Sequence, residues 1–515
     1  MIHVEEVWLF AGRLCLLSIL MTVDNISGPD SSGPDSSGSD SSGPGLSDTT
    51  ASENAQESLR LLGYHDTVNL IDERAGADHD VVIVGAGQTG VAAAFGLRRR
   101  GVHRISVIDA ATTPAGLAWR SKARMRTLRT PKTLAGPELG VPALSFRAWY
   151  DAVRGPGAFE EIGRIPTGDW ADYLDWFREQ VAVDVRRGVR LESIEPIADG
   201  LLALHLSRVD GAGGVDDLIE QTSGPARWVE TTRKVILATG VSGTGGPLIP
   251  EVVAGLSPAV FAHTSDTIDF AALSGKSVAV LGAAASAFDA AATALEAGAA
   301  SVDVYTRRRE LVIPDPAGGP INRLVQDVFS RLPDHERWRR RTATLTAGAS
   351  VPPDSVERVA LFANYRLHVS APWLSAHESA GAVLVEAEDG AATYDFVIAG
   401  TGYQQDPGTR TELASIAGHI ALWRDRYTPP EGQESEILGV VPYLGTGYQL
   451  TEREPGRAPW LADIHVFSIG ANASFGLPVG DVPSLPTGIP RLVEAVIGDL
   501  VLADLDRVRS SVAAP

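Results

Sequence analysis

The chain has 515 residues, 44% of them apolar, enough for two or three domains with their own cores. Its formal charge of −20 argues against nucleic acid or an anionic membrane surface as partner, because phosphate-rich surfaces select basic faces. A single cysteine, Cys15, excludes an intrachain disulfide, a dithiol redox pair and a cysteine-built zinc cluster, and fits a reducing, cytoplasmic setting.

The N-terminal run MIHVEEVWLFAGRLCLLSIL is apolar, but Glu5 and Glu6 stand where an export signal carries positive charge, and Arg13 interrupts it. It is too short and too broken to span a bilayer, and reads most simply as an upstream extension, with Met21 as the true start. SGPDSSGPDSSGSDSSGPG follows, with no apolar surface to offset the entropy of ordering. Residues 1–77 are therefore expected to be a disordered, low-complexity extension, with the fold beginning near Asp78.

From there HDVVIVGAGQTG reads as a buried parallel strand, Val81 to Val84, running into a glycine-rich turn. Gly85, Gly87 and Gly90 have GxGxxG spacing, and Ala86 and Gln88 complete the turn. The first glycine permits the bend, the second close approach of a pyrophosphate, the third close packing of helix on strand. A helix from Val91 to Leu97 presents its free N–H groups to the anion. The next strand, Ile105 to Ile108, ends at Asp109, about where a carboxylate accepts a ribose hydroxyl. Strand, turn, helix and acid together predict a dinucleotide site.

Further on, AGLAWR carries Gly116, Trp119 and Arg120. It resembles the Gly-Gly-x-Trp element that lies along FAD in flavin-containing monooxygenases, with Ala115 at the first glycine. The resemblance implies FAD at the first turn. The family also has an Asn near the flavin edge, and that place falls on Arg129 in RMRTLRTPKTLAG, followed by Thr130 and Lys132. Loss of the Asn puts its role in doubt here, and Arg129 and Lys132 are read either as lining the cleft or as a basic loop. Trp170, Tyr173, Leu174 and Phe177 recur at helical spacing and predict a core face.

A second turn follows GKSVAVLG, but in VLGAAASAFDA only Gly282 remains of the three glycines. Ala284 and Ala287 take the other places, with Ser286 between them. The strand SVDVYT after it ends in Arg307, Arg308 and Arg309 where the first turn's partner ends in an acid. A guanidinium there matches a 2′-phosphate, which predicts NADPH. Upstream, VFAHTSDTIDF offers Phe261, His263 and Phe270, like the family's Phe-Gly-His fingerprint, without its glycine and with a shorter interval.

KVILATG and YDFVIAGTGY are apolar strands ending in Thr-Gly, like the crossings between nucleotide domains in these flavoproteins. IHVFSIGANASFG leads into a turn at Gly470, which in the related families comes close to the flavin, and GIPRLVEAVIGDLVL into a helix. Residues 321–375 match no element of the pattern, and their arginines and Trp338 suggest a helical excursion, either a lid or a subunit contact.

The expected fold is α/β, with two Rossmann-like dinucleotide-binding domains, the NADPH domain inserted into the FAD domain. The segments are 78–247 (FAD, first part), 248–393 (NADPH, with the excursion) and 394–515 (FAD, second part). With the disulfide-reductase route closed by the cysteine count, the resemblance implies an NADPH-dependent FAD monooxygenase. Such an enzyme uses O₂, through a flavin hydroperoxide, to oxygenate a small amine or sulfur compound. An NADPH oxidase or dehydrogenase that transfers no oxygen, and a flavin-binding protein without catalysis, stay open as alternatives.

Overall fold

The structure is a computed structural model that describes residues 46–112, 117–134, 136–209, 226–313, 327–476 and 479–513. The readings of the N-terminal run and the low-complexity repeat lie outside these residues.

The fold begins earlier than Asp78. Helix α1 (Leu46–Leu61) places Ala51, Ala55 and Leu59 in the main core, and Tyr64 and Ile71 follow them. The spacing of four residues makes one narrow apolar stripe, and two alanines let the helix approach closely. Its polar side is tied down as well: Ser52 Oγ accepts from Trp176 Nε1 at 3.0 Å, and Gln56 donates from Nε2 to the Gln180 carbonyl at 3.0 Å. The expectation of disorder through residue 77 is thus corrected for residues 46–77. A few small apolar residues at helical spacing were hidden by a polar composition.

Strand β1 (His79–Val84) lies between β2 (Ile105–Asp109) and β6 (Arg227–Leu237), parallel to both. Val81, Val82 and Ile83 are fully buried, as two covered faces require. Beyond β2 lies β3 (Arg186–Arg187); beyond β6, β5 (Leu201–Arg208) and β4 (Val189–Ile197) add an antiparallel wing. The C-terminal strand β17 (Ile464–Val466) returns to pair with β6. Helix α2 (Gln88–Arg99) packs on this sheet, alongside the long C-terminal helix (Leu485–Ala513).

A second sheet has the order β11 (Tyr365–His368), β10 (Ser301–Tyr305), β9 (Ser277–Leu281), β15 (Phe396–Ala399) and β8 (Phe261–His263), all parallel. Helix α4 (Ala285–Glu296) covers it with a face made mostly of alanines, together with Phe288 and Leu295. Because β15 pairs with β9, this sheet extends to Ala399, past the expected boundary at residue 393. A three-stranded antiparallel sheet, β12 (Trp373–Ser379), β13 (Ala382–Ala387) and β14 (Gly390–Tyr394), precedes that strand. The short strands β7 (Gly246–Pro247) and β16 (Tyr403–Gln404) pair with each other and join the two crossings.

Among the described residues the excursion includes two helices, α5 (Asp334–Ala347) and α6 (Pro353–Ala360), leading into β11. Trp338 is buried against Trp423 and Tyr427 within the chain. The core face on α3 (Thr167–Gln180) is as expected, with Trp170, Tyr173, Leu174 and Phe177 all buried. No described helix is long and apolar enough to cross a membrane.

Candidate active site

The first turn is built by backbone constraint. Gly85 has φ +105°, a region that side chains rarely tolerate, and a Cβ there would fall on the Ala238 carbonyl oxygen. A Cβ on Gly90 would fall on the Gly85 carbonyl oxygen. Around Gly87 the situation is reversed: a Cβ would meet nothing within 4 Å. Two glycines thus close the turn, and the third leaves an open cradle at the start of α2, whose N-terminus no side chain caps. This is the surface a pyrophosphate requires, and the residues fit it.

Asp109 stands at the end of β2 and braces the turn, accepting from the Ala86 N–H at 2.7 Å and from the Ala111 N–H at 2.8 Å. It remains half-exposed. Gln88 is directed elsewhere. Its buried amide donates to the Gly480 carbonyl at 2.8 Å and accepts from Trp170 Nε1 at 3.2 Å, tying the turn to the C-terminal loop. Arg120 is likewise held away, by Asp172 at 2.5 Å and Asp175 at 2.8 Å on α3. Trp119 is half-buried and meets Trp170 edge-on at 6.5 Å. Gly116 lies outside the described residues.

The second turn repeats the first with one exchange. Gly282 has φ +113°, and its N–H donates to the Tyr305 carbonyl as that of Gly85 does to Ile108. A Cβ on Gly282 would lie 2.5 Å from the Gly400 carbonyl oxygen, where Gly85 faces Ala238. Gly400 therefore corresponds to Ala238, and Ala287 to Gly90. A Cβ on Gly400 would sit 2.5 Å from the Ala287 Cβ. The glycine missing from the second fingerprint has moved to the neighbouring strand, so one methyl is present at each helix–strand crossing, on opposite partners. Ala284 caps the helix in extended conformation, and Ser286 is exposed beside it.

At the corner after β10, Arg307 is exposed, while Arg308 donates to the Ala349 carbonyl at 3.3 Å and packs on Gly348. Gly470 lies at the exit of β17, where a Cβ would meet Thr244 Oγ1 at 2.7 Å. The first turn, the exit of β6 and the exit of β17 therefore converge at the carboxyl edge of the first sheet, the place where open α/β sheets bind ligands.

Several residues have other duties. Arg129 pairs with Asp289 on α4, and Ser355 donates to that same carboxylate at 2.7 Å. Lys132 donates to the Phe159 and Glu160 carbonyls at 2.7 and 3.0 Å. His263 is buried, bonded through Nδ1 to Ser265 Oγ at 2.8 Å and edge-on to Tyr403; burial pushes its pKa down. Sequence reading missed Asn472, which is buried and accepts from the Val479 N–H at 2.7 Å, although it stands two residues after Gly470 in the same turn. It also missed Gly400, whose signal is only a glycine before the Thr-Gly pair.

Residues 79–332 match the family model described as pyridine nucleotide-disulphide oxidoreductase. The chain is 39% identical over 438 residues to an FAD-dependent urate hydroxylase of Xanthomonas campestris, covering 84% of this chain and 88% of that one. Among solved structures it resembles the reduced form of an ornithine hydroxylase of Pseudomonas aeruginosa, with TM-score 0.61 and 18% identity over 82% of this chain and 99% of that one. An L-lysine 6-monooxygenase of Pseudomonas syringae gives TM-score 0.58 and 19% identity, with the same coverage. These structural likenesses carry the mixed α/β fold of flavoprotein monooxygenases. The identity to the Xanthomonas protein extends across both glycine turns and both crossings, so the chain belongs to the flavin monooxygenase-like family that contains that hydroxylase, and it is a flavin-dependent oxidoreductase.

Proposed function

We propose that the protein is an FAD-dependent, NADPH-consuming monooxygenase that hydroxylates urate. The observation that carries this reading is the identity to the urate hydroxylase over nearly the whole described chain. In this reading the substrate is an electron-rich heterocycle, instead of the simple amine or sulfur compound expected from the sequence alone. The co-reactants in this reading are O₂ and NADPH.

Two nucleotide-binding domains are proposed, the second inserted in the first and reaching Ala399. Gly85, Ala86, Gly87 and Gly90 with the start of α2 would hold the FAD pyrophosphate, and Asp109 its ribose hydroxyl. Trp119 and Gly470 would border the flavin. Gly282, Ser286 and Ala287 would hold the NADPH pyrophosphate. Arg307 would read the 2′-phosphate, with Arg308 fixing the corner. When bound, FAD supplies the acceptor for the nicotinamide hydride and the place of oxygen activation. The chain's own part is to orient the two carriers and keep water out, which the buried aromatics Tyr448, Phe467 and Phe475 behind the β17 exit support.

The test is a balance sheet for one turnover mixture. Urate disappearance in a 1:1 ratio with NADPH and O₂ is expected. NADPH consumption that makes hydrogen peroxide and leaves urate intact would favour the oxidase instead, a second reading supported by Arg129 at the family's Asn position and its engagement with Asp289.

A further inference from the structure

Helix α5 carries four arginines in five positions, and three of them are matched by acids. Arg337 pairs with Asp334 and stacks over Trp423 and Tyr443; Arg339 and Arg340 both pair with Glu336. Arg341 is different. Its Nη1 donates to the Gly476 carbonyl at 3.0 Å, and its Nε, like that of Arg337, is shut off from solvent with no hydrogen-bond partner. No carboxylate among the described residues pairs with it, and burial alone pushes its pKa down. The Oγ1 of the adjacent Thr342 is also closed off without a partner. A desolvated guanidinium is costly unless an anion meets it.

Its position gives that cost a purpose. Gly476 ends the short helix Asn472–Phe475 that follows β17. A few residues later, the Gly480 carbonyl accepts from Gln88 and Thr89 at the first turn. Arg341 therefore reaches the carboxyl edge of the first sheet from the excursion. The Phe329 ring lies against Gly476, where a Cβ would meet it at 2.7 Å. A guanidinium fork suits a flat anion through charge-assisted hydrogen bonds to one edge. Urate is such an anion at neutral pH.

We propose that Arg341 recognises the negative charge of the substrate and fixes the orientation of its ring, an inference that rests on the urate reading above. It gives the excursion its role as a wall of the substrate site, built from a segment outside both glycine turns.

The experiment measures urate binding by calorimetry on flavin-loaded protein, and KM for urate-coupled NADPH consumption, for four proteins: wild type, Arg341→Met, Arg341→Lys and Arg340→Met. A second probe is urate methylated on every ring nitrogen, which cannot ionise. Arg341→Met is expected to raise the urate dissociation constant about 10- to 100-fold, and to leave the methylated probe within about 2-fold. Arg341→Lys should fall between, and Arg340→Met, whose partner is the surface Glu336, should match wild type. Flavin content and melting temperature identify a variant that has lost its fold, in which case Arg341→Lys decides by the same comparison of probes. Urate affinity within about 2-fold of wild type, or an equal loss for both probes, overturns the proposal. Flavin-loaded wild type that neither binds nor consumes urate overturns the parent reading, and this one with it.

Discussion

The exchange of methyl groups between the two turns can be tested by reversing it. Gly400→Ala places a Cβ 2.5 Å from the Ala287 Cβ and 2.8 Å from its Cα. Carbon atoms pack at about 3.5–4.0 Å, so the shortfall is about 1 Å against a rigid helix start. Overpacking of this kind costs about 1–3 kcal/mol. Ala287→Gly alone removes a buried methyl and adds backbone freedom in the first turn of α4, a loss of about 1 kcal/mol. The double variant recreates the residue pair of the first turn, with glycine at the position of Gly90 and alanine at the position of Ala238, and should be more stable than Gly400→Ala. A double-mutant cycle by urea denaturation should give a favourable coupling of about 1–2 kcal/mol, with the KM for NADPH following the same order. A double variant no better than Gly400→Ala would refute the equivalence of Gly400 with Ala238 and of Ala287 with Gly90.

Glycines of the first turn should separate by role. Gly87→Ala folds normally, because its methyl enters open space, but the purified protein carries much less flavin; Gly90→Ala, driven onto the Gly85 carbonyl, fails to accumulate as soluble protein. Flavin absorbance per mole of folded chain checks both. Arg307→Ala should weaken the recognition of NADPH by about 1–3 kcal/mol, read as a raised KM, and leave NADH unchanged. Arg308→Ala should cost less, because that side chain is already engaged with Ala349. Equal losses with the two cofactors would remove the 2′-phosphate assignment. His465 is fully buried on β17, and burial, reinforced by Lys234, holds its pKa down at about 4, against about 6.5 in the unfolded chain. Between those values the unfolded state binds the extra proton, so stability is lost as pH falls from 6.5 toward 4. His465→Gln should flatten the dependence of the urea midpoint across that window; an unchanged slope would assign it to other groups.

The amino-acid sequence alone determined the parts of this protein whose physics is local. A glycine at positive φ, an apolar strand before it and a charged residue ending the next strand are all within about 30 residues of one another. The turns at Gly85 and Gly282, Asp109 and the arginines after β10 were legible for that reason. The core face of α3 was legible by its period. What tertiary structure decided was everything that depends on which distant segments meet. Gly400 replaces a missing glycine over a hundred residues away because β15 lies beside β9. Gln88 and Arg120 turn from the cleft because Gly480 and the acids of α3 are within reach. Residues 46–77 fold because Ala51, Ala55 and Leu59 find a core that only the rest of the chain can build. Arg341 stands at the first sheet's edge because α5 is brought back to the exit of β17. Spacing along the chain encodes backbone geometry; partner choice for a side chain is set by packing, and packing is not local.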